Sequence, residues 1–311
     1  MASPASTSAA DGAGRAAIGA RSHLYVPGDR PAMLARAAER GADALIIDLE
    51  DAVAPAAKPA ARRDVAAWLG RVAGSSARPQ VWVRINPAAG GLPPLDDLAV
   101  AVHPAVAGLV QAKCESPEAL RRLDDALGAA ESRAGLAEGS LAVVPLIESA
   151  AGVLAMAALA AAPRVRRLQA GEADLSAELG MEPGPDRAEF APLRWTLVLT
   201  SAAASLDPPV GPVETRLGEL AELRASTRAL RRQGFGGRAA VHPAQVPVIN
   251  DVFTPSAAEL EQAAMVVERF DAAAASGAGA AVTDDGRMID EAVVRGARRV
   301  LALGLRAGRR P

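Results

Sequence analysis

The residues best suited to chemistry in this chain are carboxylates that follow short apolar runs. In ALIIDLEDAV (44–53), four apolar residues precede Asp48, Glu50 and Asp51, so that three carboxylates fall within four positions. Like charges this close repel one another, and burial would raise the cost of the charges further. The stretch therefore predicts a positively charged group nearby.

Two further carboxylates, Glu148 and Asp174, end the segments VVPLIE and QAGEAD. On neighbouring strands they could share a divalent cation, because Mg²⁺ is commonly held by one or two carboxylates completed by water and substrate. In that case Asp48, Glu50 and Asp51 could bind the water ligands of the ion and be offset by its charge. The alternative is that Glu148 and Asp174 are paired with arginines, and the pattern alone leaves both open.

Two basic residues follow similar runs. Arg84 ends VWVR, where its planar guanidinium suits a substrate carboxylate, although an ion pair with one of the three acids is equally compatible. Lys113 could serve a Schiff-base aldolase, but neighbouring acids would keep it protonated, which favours an electrostatic or structural role. The histidines, His23, His103 and His242, share no metal-ligand spacing.

The composition narrows the class of function. The 311 residues carry 34 Lys and Arg against 36 Asp and Glu, and this net charge of −2 gives no reason to expect nucleic acid or an anionic membrane as a partner. The single cysteine, Cys114, excludes an intramolecular disulfide and any cysteine-clustered zinc site. No stretch approaches the roughly 20 apolar residues that span a bilayer. We expect a globular, cytoplasmic protein.

Short β-like runs separated by helical segments must position these side chains. The runs cover 22–28, 44–51, 81–87, 108–113, 142–149, 167–174 and 238–243, with a weaker eighth candidate between 197 and 213. Helix signals between them include Ser116 and Pro117 as N-cap and first helical residue, and Gly41 at the end of RPAMLARAAERG. This alternation predicts parallel strands joined by helical crossovers.

About eight such units in about 250 residues is the size of a (β/α)8 barrel. A doubly wound open sheet is the competing fold, but no G-x-G-x-x-G turn follows the first run. The polar residues lie mainly at the C-terminal ends of the runs, which a barrel would gather around one mouth. The sequence therefore predicts an α/β fold, a TIM barrel over 21–272, preceded by a disordered tail over 1–20.

With its residues so arranged, the sequence resembles the HpcH/HpaI aldolase–citrate lyase superfamily, and within it the CoA-ester lyases similar to the citrate lyase β subunit. The resemblance runs from Arg21 to Asp290. Its blocks are RSHLYVPG, IDLEDAVAPAAKPAAR, VWVRIN, KCESPEAL, VVPLIESAAGV, GEADLSAELG, GFGGRAAVHPAQVPVINDVFTPS and DGRMID. It implies a (β/α)8 barrel that assembles as a homotrimer or a dimer of trimers, with Mg²⁺ or Mn²⁺ in the mouth.

The resemblance also implies roles for single residues in the barrel. Glu148 and Asp174 match the metal ligands, and Glu148 also faces the substrate. Arg84 matches the arginine that holds the substrate carboxylate during catalysis. Tyr25 and Arg36 match positions that contact CoA.

A C-terminal lid is a further implied feature. Asp290 in DGRMID matches the aspartate of a lid that reaches a neighbouring subunit and acts as acid or base, so 273–311 is expected to form a hinge and helical lid. AAAASGAGAA (272–281) would supply the flexibility. The alternative is that Asp290 only caps the following helix. Three positions depart from the family. Ala32 stands where some relatives carry a lysine for CoA phosphates, and Arg36 and Arg238 each take the place of a lysine.

The expected function is that of a Mg²⁺-dependent oxo-acid lyase. It would cleave or form a C–C bond between an acyl-CoA and a small keto acid, with malyl-, citramalyl- or citryl-CoA-like substrates. Three alternatives remain open: a CoA-independent class II aldolase of the pyruvate type, a malyl-CoA-type thioesterase, and the β subunit of a citrate lyase complex.

Overall fold

The computed structural model describes residues 19–73, 79–277, 279–283 and 286–308. Residues 1–18 of the predicted N-terminal tail lie outside these ranges. The chain divides into two compact units, Met1–Asn250 and Asp251–Pro311. Among the described helices, none combines the length and the apolar character needed to cross a membrane.

The first unit contains a closed barrel of eight parallel strands in chain order. The strands are β1 (Ser22–Pro27), β2 (Ala44–Asp48), β3 (Gln80–Ile85), β4 (Gly108–Gln111), β5 (Ala142–Ile147), β6 (Gln169–Ala170), β7 (Val210–Gly211) and β8 (Gly237–Ala240). The barrel closes where β1 pairs with β8, with Leu24 opposite Ala240. The predicted (β/α)8 barrel is confirmed, and the open sheet is excluded.

Helices follow the strands around the outside of this fold. They are α1 (Pro31–Arg36), α2 (Lys58–Val72), α3 (Leu95–Ala101), α4 (Pro117–Arg133), α5 (Ala150–Ala160), α6 (Glu172–Leu179), α7 (Ala191–Ala203), α8 (Leu220–Gln233) and α9 (Gln245–Phe253). As predicted, Pro117 opens α4 and the Ser116 side chain accepts a hydrogen bond from the Ala119 amide at 3.3 Å. Gly41 ends the segment after α1 with a φ of 73°, a conformation that favours glycine.

Alternate strand residues point into the barrel and form its core. This buried cluster consists of Ala20, Ala44, Ile46, Trp82, Val110, Val144 and Leu146. Asp48, Arg84 and Glu148 each lie two residues beyond a member of the cluster. The same alternation that buries the core therefore places these three polar side chains at the C-terminal mouth.

Two predicted strands are much shorter than expected. The run 167–174 contributes only the two residues of β6, and α6 begins at Glu172, so Asp174 lies in the first turn of a helix rather than at a strand end. Acidic residues are favourable at this position, where they face the positive end of the helix dipole. The weak eighth candidate contributes only β7, because its first part forms the end of α7.

The second unit is built on two helices, α10 (Ala257–Ala275) and α11 (Glu291–Arg306), with a short antiparallel pair, β9 (Ala281–Val282) and β10 (Met288–Ile289), between them. A capping box between Ser256 and Glu259 starts α10. The apolar core of the unit consists of Ala263, Val266, Ile289, Val294 and Ala297.

The division into units falls earlier than the predicted boundary after residue 272. The reason is that α10 shares its apolar core with α11 and so belongs to the C-terminal unit. Residues 272–275 of the predicted hinge are the last four residues of α10. Alanine has the highest helix propensity of all residues, so a run of alanines extends a helix more readily than it breaks one.

Candidate active site

A cavity of about 230 Å³ lies at the C-terminal ends of the barrel strands. Its polar lining consists of Tyr25, Asp48, Arg84, Gln169, Glu148, Glu172 and Asp174. Its apolar lining includes Leu146, Pro212, Val213 and Val241. The barrel therefore brings five of the predicted site residues to one cavity, and it adds Gln169 and Glu172, which the sequence reading had not selected.

The Glu148 carboxylate is held from two sides. Its Oε1 accepts a hydrogen bond from the backbone N–H of Lys113 at 2.7 Å. On the other side lies Gly171, where a Cβ would stand 2.4 Å from the Glu148 Cβ and 2.9 Å from its Oε2. The next residue, Ser149, starts α5 by accepting a hydrogen bond from the Gly152 amide at 3.1 Å. Backbone groups therefore fix where Glu148 points, and only glycine fits at 171.

Glu148 and Asp174 are two acids of the cavity that form no ion pair with the described residues. Burial raises the pKa of Glu148 to about 7. The negative charges of Asp174 and Glu50 add to this increase, whereas the Lys113 amide and the positive charge of Arg84 oppose it. Within the described part of the chain, neither carboxylate forms an ion pair. The pairing with arginines that the sequence left open is therefore not found among these residues.

This pair fits a hard divalent cation. A positive ion would offset the repulsion and the burial that disfavour ionised Glu148. Among the described residues no group of three or more His, Cys, Asp or Glu is placed to hold a metal. Water and substrate would therefore have to complete the coordination, which is the usual arrangement for Mg²⁺.

Glu172, the first residue of α6, differs from Glu148 and Asp174 because its charge is matched by an arginine. It is 1% exposed, and its two oxygens accept from Nε and Nη2 of Arg194 at 2.6 and 2.9 Å. Such a bidentate pair satisfies both groups. Glu172 is therefore engaged within the fold and is a poorer candidate for a metal ligand than Asp174.

Arg84 supplies the positive charge that the acidic stretch predicted. Its Nε and Nη2 donate to the two oxygens of Asp48 at 2.7 and 2.5 Å, and its Nη1 lies 3.1 Å from Glu50. The Asp48 carboxylate also accepts from the backbone amides of Glu50 and Ala52. The Tyr25 ring lies against the guanidinium, with 5.0 Å between Cζ and the ring centroid. Arg84 is thus locked by four contacts to its neighbours.

Arg84 nevertheless keeps the means to bind a substrate. A guanidinium has five N–H donors, and the two hydrogen bonds to Asp48 use two of them. Nη1 forms ion pairs with Glu50 at 3.1 Å and Asp51 at 3.8 Å, and the side chain lines the cavity with N–H groups that no hydrogen bond to Asp48 uses. The ion-pair interpretation and the substrate-binding role are therefore compatible; the first is observed and the second stays a prediction.

Lys113 supplies the second positive charge. Its Nζ lies 2.5 Å from Glu50 and 3.2 Å from Asp51. Burial opposes the charge on the amine, but Glu50 and Asp51 outweigh it and raise the pKa of Lys113. A lysine so held stays protonated, which supports the electrostatic interpretation and opposes Schiff-base chemistry. The three acids are thus offset by protein groups, and their role toward the waters of a metal stays a prediction.

Only one of the two residues predicted to contact CoA lies in the cavity. The Tyr25 hydroxyl accepts a hydrogen bond from Nε2 of Gln169 at 2.9 Å, across the barrel. Arg36 is exposed at the C-terminal end of α1 and is not among the residues that line the cavity. Any contact it makes with CoA would therefore lie outside the cavity.

Arg238, which stands where the resemblance leads one to expect a lysine, is part of the core. It is 2% exposed, and its guanidinium donates to Ser226 Oγ at 2.7 Å and to Thr227 Oγ1 at 2.8 Å, both on α8. Burial lowers the pKa of Arg238 to about 10. Its side chain joins β8 to α8 and is therefore engaged within the fold.

Asp290 lies in the second unit, where it caps α11. Its carboxylate accepts a hydrogen bond from the Val293 amide at 3.0 Å. The capping alternative is therefore observed. A capping carboxylate keeps a second oxygen, so the role of Asp290 as acid or base remains compatible with the cap and stays a prediction.

The family model for HpcH/HpaI aldolase/citrate lyase matches residues 21–243, a range that contains every predicted site residue except Asp290. A (3S)-malyl-CoA thioesterase of Cereibacter sphaeroides is 33% identical over 290 residues, which cover 91% of this chain and 93% of the relative. An L-malyl-CoA/beta-methylmalyl-CoA lyase of Rhodobacter capsulatus is 30% identical over 303 residues, covering 88% and 91% of the two chains.

Among solved structures, CitE from Mycobacterium tuberculosis, in complex with magnesium, acetoacetate and coenzyme A, matches with a TM-score of 0.71. It is 28% identical, and the match covers 92% of this chain and 98% of that chain. The sequence match with the relatives and the structural match with CitE each cover about nine tenths of this chain. The chain belongs to the HpcH/HpaI aldolase/citrate lyase family.

Proposed function

We propose that this chain is a Mg²⁺-dependent oxo-acid lyase that cleaves or forms the C–C bond between an acyl-CoA and a small keto acid. The observation that carries the proposal is the pair of Glu148 and Asp174, which lines the cavity beside Arg84 and forms no ion pair among the described residues. Relatives named as a malyl-CoA lyase and a malyl-CoA thioesterase, and a structural neighbour with bound magnesium and coenzyme A, support it. Mn²⁺ would suit the same ligands.

Each cavity residue has a part in this reaction. Glu148 and Asp174 would hold the ion, and the N–H groups of Arg84 that Asp48 leaves unused would bind the carboxylate of the small acid. When bound, the ion polarises the hydroxyl or keto oxygen of that acid and orients it. Tyr25 would contact the CoA ester from within the cavity, and Arg36 from the surface.

In the cleavage direction, the bond between the hydroxyl-bearing carbon and the thioester α carbon breaks. Its electron pair moves to the α carbon to give the thioester enolate, and the hydroxyl-bearing carbon becomes the carbonyl of the keto acid as its hydroxyl gives up its proton to water. We assign to Asp290 the transfer of a proton to the α carbon in cleavage and its removal in synthesis.

Asp290 is proposed to act on the active site of a neighbouring subunit, in a cytoplasmic homotrimer. The resemblance to a family that is commonly trimeric supports this assembly, and the single cysteine suits a reducing compartment. The variant Asp290→Asn separates capping from catalysis, because asparagine caps a helix about as well as aspartate. We expect Asp290→Asn to fold normally and to lose most of its turnover.

Co-expression tests the trans arrangement. Mixed oligomers of Asp290→Asn and Glu148→Gln contain some sites with both groups intact, so part of the activity should return. Full activity of Asp290→Asn alone would exclude the acid–base role. An inactive Asp290→Asn that co-expression never rescues would show that the aspartate serves its own chain.

The reaction itself is tested with malyl-, citramalyl-, β-methylmalyl- and citryl-CoA, with and without Mg²⁺. A lyase releases keto acid and acyl-CoA in equal amounts and no free CoA. Free CoA without keto acid would instead identify a thioesterase. This is the second candidate function, because the relative from C. sphaeroides is a malyl-CoA thioesterase. Keto-acid release that persists in excess EDTA would contradict the metal site.

A further inference from the structure

Lys113 adopts a backbone conformation that is unusual for a residue with a side chain. It lies in the turn after β4, and its φ is 46°, in the left-handed region. A Cβ disfavours this region, which is why glycine usually occupies it. In this conformation the Lys113 amide donates to Glu148 Oε1 at 2.7 Å, so the unusual turn is the one that holds the first metal-ligand candidate.

The side chain of Lys113 also anchors this turn, through its amine. Its Nζ pairs with Glu50 and Asp51, which follow β2. Glu50 is 3% exposed and is itself held by Nη1 of Arg84 at 3.1 Å. The side chain therefore ties the turn after β4 to a rigid part of the barrel mouth, two strands away.

We propose that Lys113 is a positioning residue for Glu148. Its ion pairs stabilise the left-handed turn, and the backbone N–H of that turn sets the Glu148 carboxylate in the orientation that binds a divalent cation. The inference rests on the proposed metal site and deepens it. It differs from a role in which the amine only neutralises Glu50 and Asp51, because it assigns the function to the backbone.

A set of substitutions at one position separates the two roles. Lys113→Ala removes the ion pairs and keeps the Cβ that disfavours the turn. Lys113→Gly also removes the ion pairs, but glycine adopts a positive φ without a steric cost. Lys113→Arg keeps the positive charge. A backbone role predicts that Gly binds metal better than Ala, whereas a purely electrostatic role predicts equal losses.

The readout is Mn²⁺ binding to the metal-free protein, measured by calorimetry or by electron paramagnetic resonance. We expect Lys113→Ala to weaken binding by about 10-fold to 100-fold, the range found when a partner of a metal ligand is lost. Lys113→Gly should lose less, and Lys113→Arg should stay close to wild type. The control Arg121→Ala removes an exposed ion pair with Glu118 on α4 and should leave binding unchanged.

Equal binding by Lys113→Ala and wild type, or equal losses in the Ala and Gly variants, would overturn the inference. Circular dichroism establishes that each variant is folded. If Lys113→Ala does not fold, Lys113→Gln takes its place in the comparison with glycine. A wild-type protein that binds no Mn²⁺ would refute the proposed metal site itself, a result distinct from any difference among the variants.

Discussion

Two groups of carboxylates share one barrel mouth, and the fold treats them in opposite ways. The paired acids, Asp48, Glu50 and Asp51, meet basic side chains at hydrogen-bond distance. The open pair, Glu148 and Asp174, meets none among the described residues, and burial raises the pKa of Glu148 to about 7. The paired acids are thus part of the ion-pair network of the fold, whereas the open pair is the proposed binding site for a cation.

The balance of charge at the mouth supports this distinction. The paired acids and the open pair together supply five carboxylates, against the two basic side chains of Arg84 and Lys113. The excess is negative, although the proposed substrate is itself an anion. A divalent cation would have to bind first or together with the acid, because a carboxylate alone would be repelled.

The largest effect is expected when a paired acid is removed. Asp48→Ala leaves Arg84 buried without its bidentate partner, and losing one member of a buried pair costs about 3–5 kcal/mol of unfolding free energy. Asp174→Ala is the matched control, because it removes a carboxylate from the same mouth that has no basic partner, and it should change stability by about 0.5 kcal/mol or less. Urea unfolding measures both. Similar losses in the two variants would contradict the contrast.

Metal affinity should respond in the reverse order. Asp174→Asn removes a proposed ligand, so we expect Mn²⁺ binding to weaken by more than about 100-fold. That factor is the upper end of the loss found when a residue that only supports a metal ligand is removed. Asp51→Asn should cost about tenfold if the paired acids bind the water ligands of the ion. Calorimetric titration of the metal-free variants checks both values. A larger loss for Asp51→Asn than for Asp174→Asn would reverse the assignment of the two groups.

The affinity for metal should also depend on pH. Glu148 must lose its proton to bind a cation, and its pKa in the metal-free protein is raised to about 7. Below that pH, each further unit should therefore weaken Mn²⁺ binding by about tenfold, and above it the affinity should level off. In Asp174→Asn the midpoint of the pH dependence should move to lower pH, because the negative charge of Asp174 no longer raises the pKa of Glu148. A flat profile between pH 5.5 and 8 would show that Glu148 is not the group that must ionise.

The smallest effect concerns stability without metal. The folded pKa of Glu148 is raised from 4.5 to about 7, so ionised Glu148 disfavours the fold above pH 7, and this cost disappears as the pH falls toward 4.5. Glu148→Gln should therefore stabilise the metal-free protein by about 1 kcal/mol at pH 8 and by less at pH 6. Saturating Mg²⁺ should favour the wild type instead. A variant that is less stable at both pH values would contradict the prediction.

The sequence by itself determined the barrel and much of its mouth. Residues two positions apart in a strand face the same side, and this rule needs only the local sequence. It therefore places Asp48 on the same side as Ile46, and Glu148 on the same side as Leu146. The same alternation fits Arg238, which contacts α8 on one face of its strand, whereas Val241, three residues later, lines the cavity. Ser116 and Gly41 marked helix ends through equally local chemistry.

Only the tertiary structure decided which charges meet. Arg84 and Asp48 are 36 positions apart in the chain, and their pairing follows from the register of β2 and β3. Periodicity also missed the start of α6, which turns Asp174 from a strand-end residue into a first-turn residue of a helix. The left-handed turn at Lys113 carries no sequence signal, because its cost is offset by partners in another loop. Ion-pair choice and backbone strain depend on distances between remote segments, and those distances exist only once the barrel has closed.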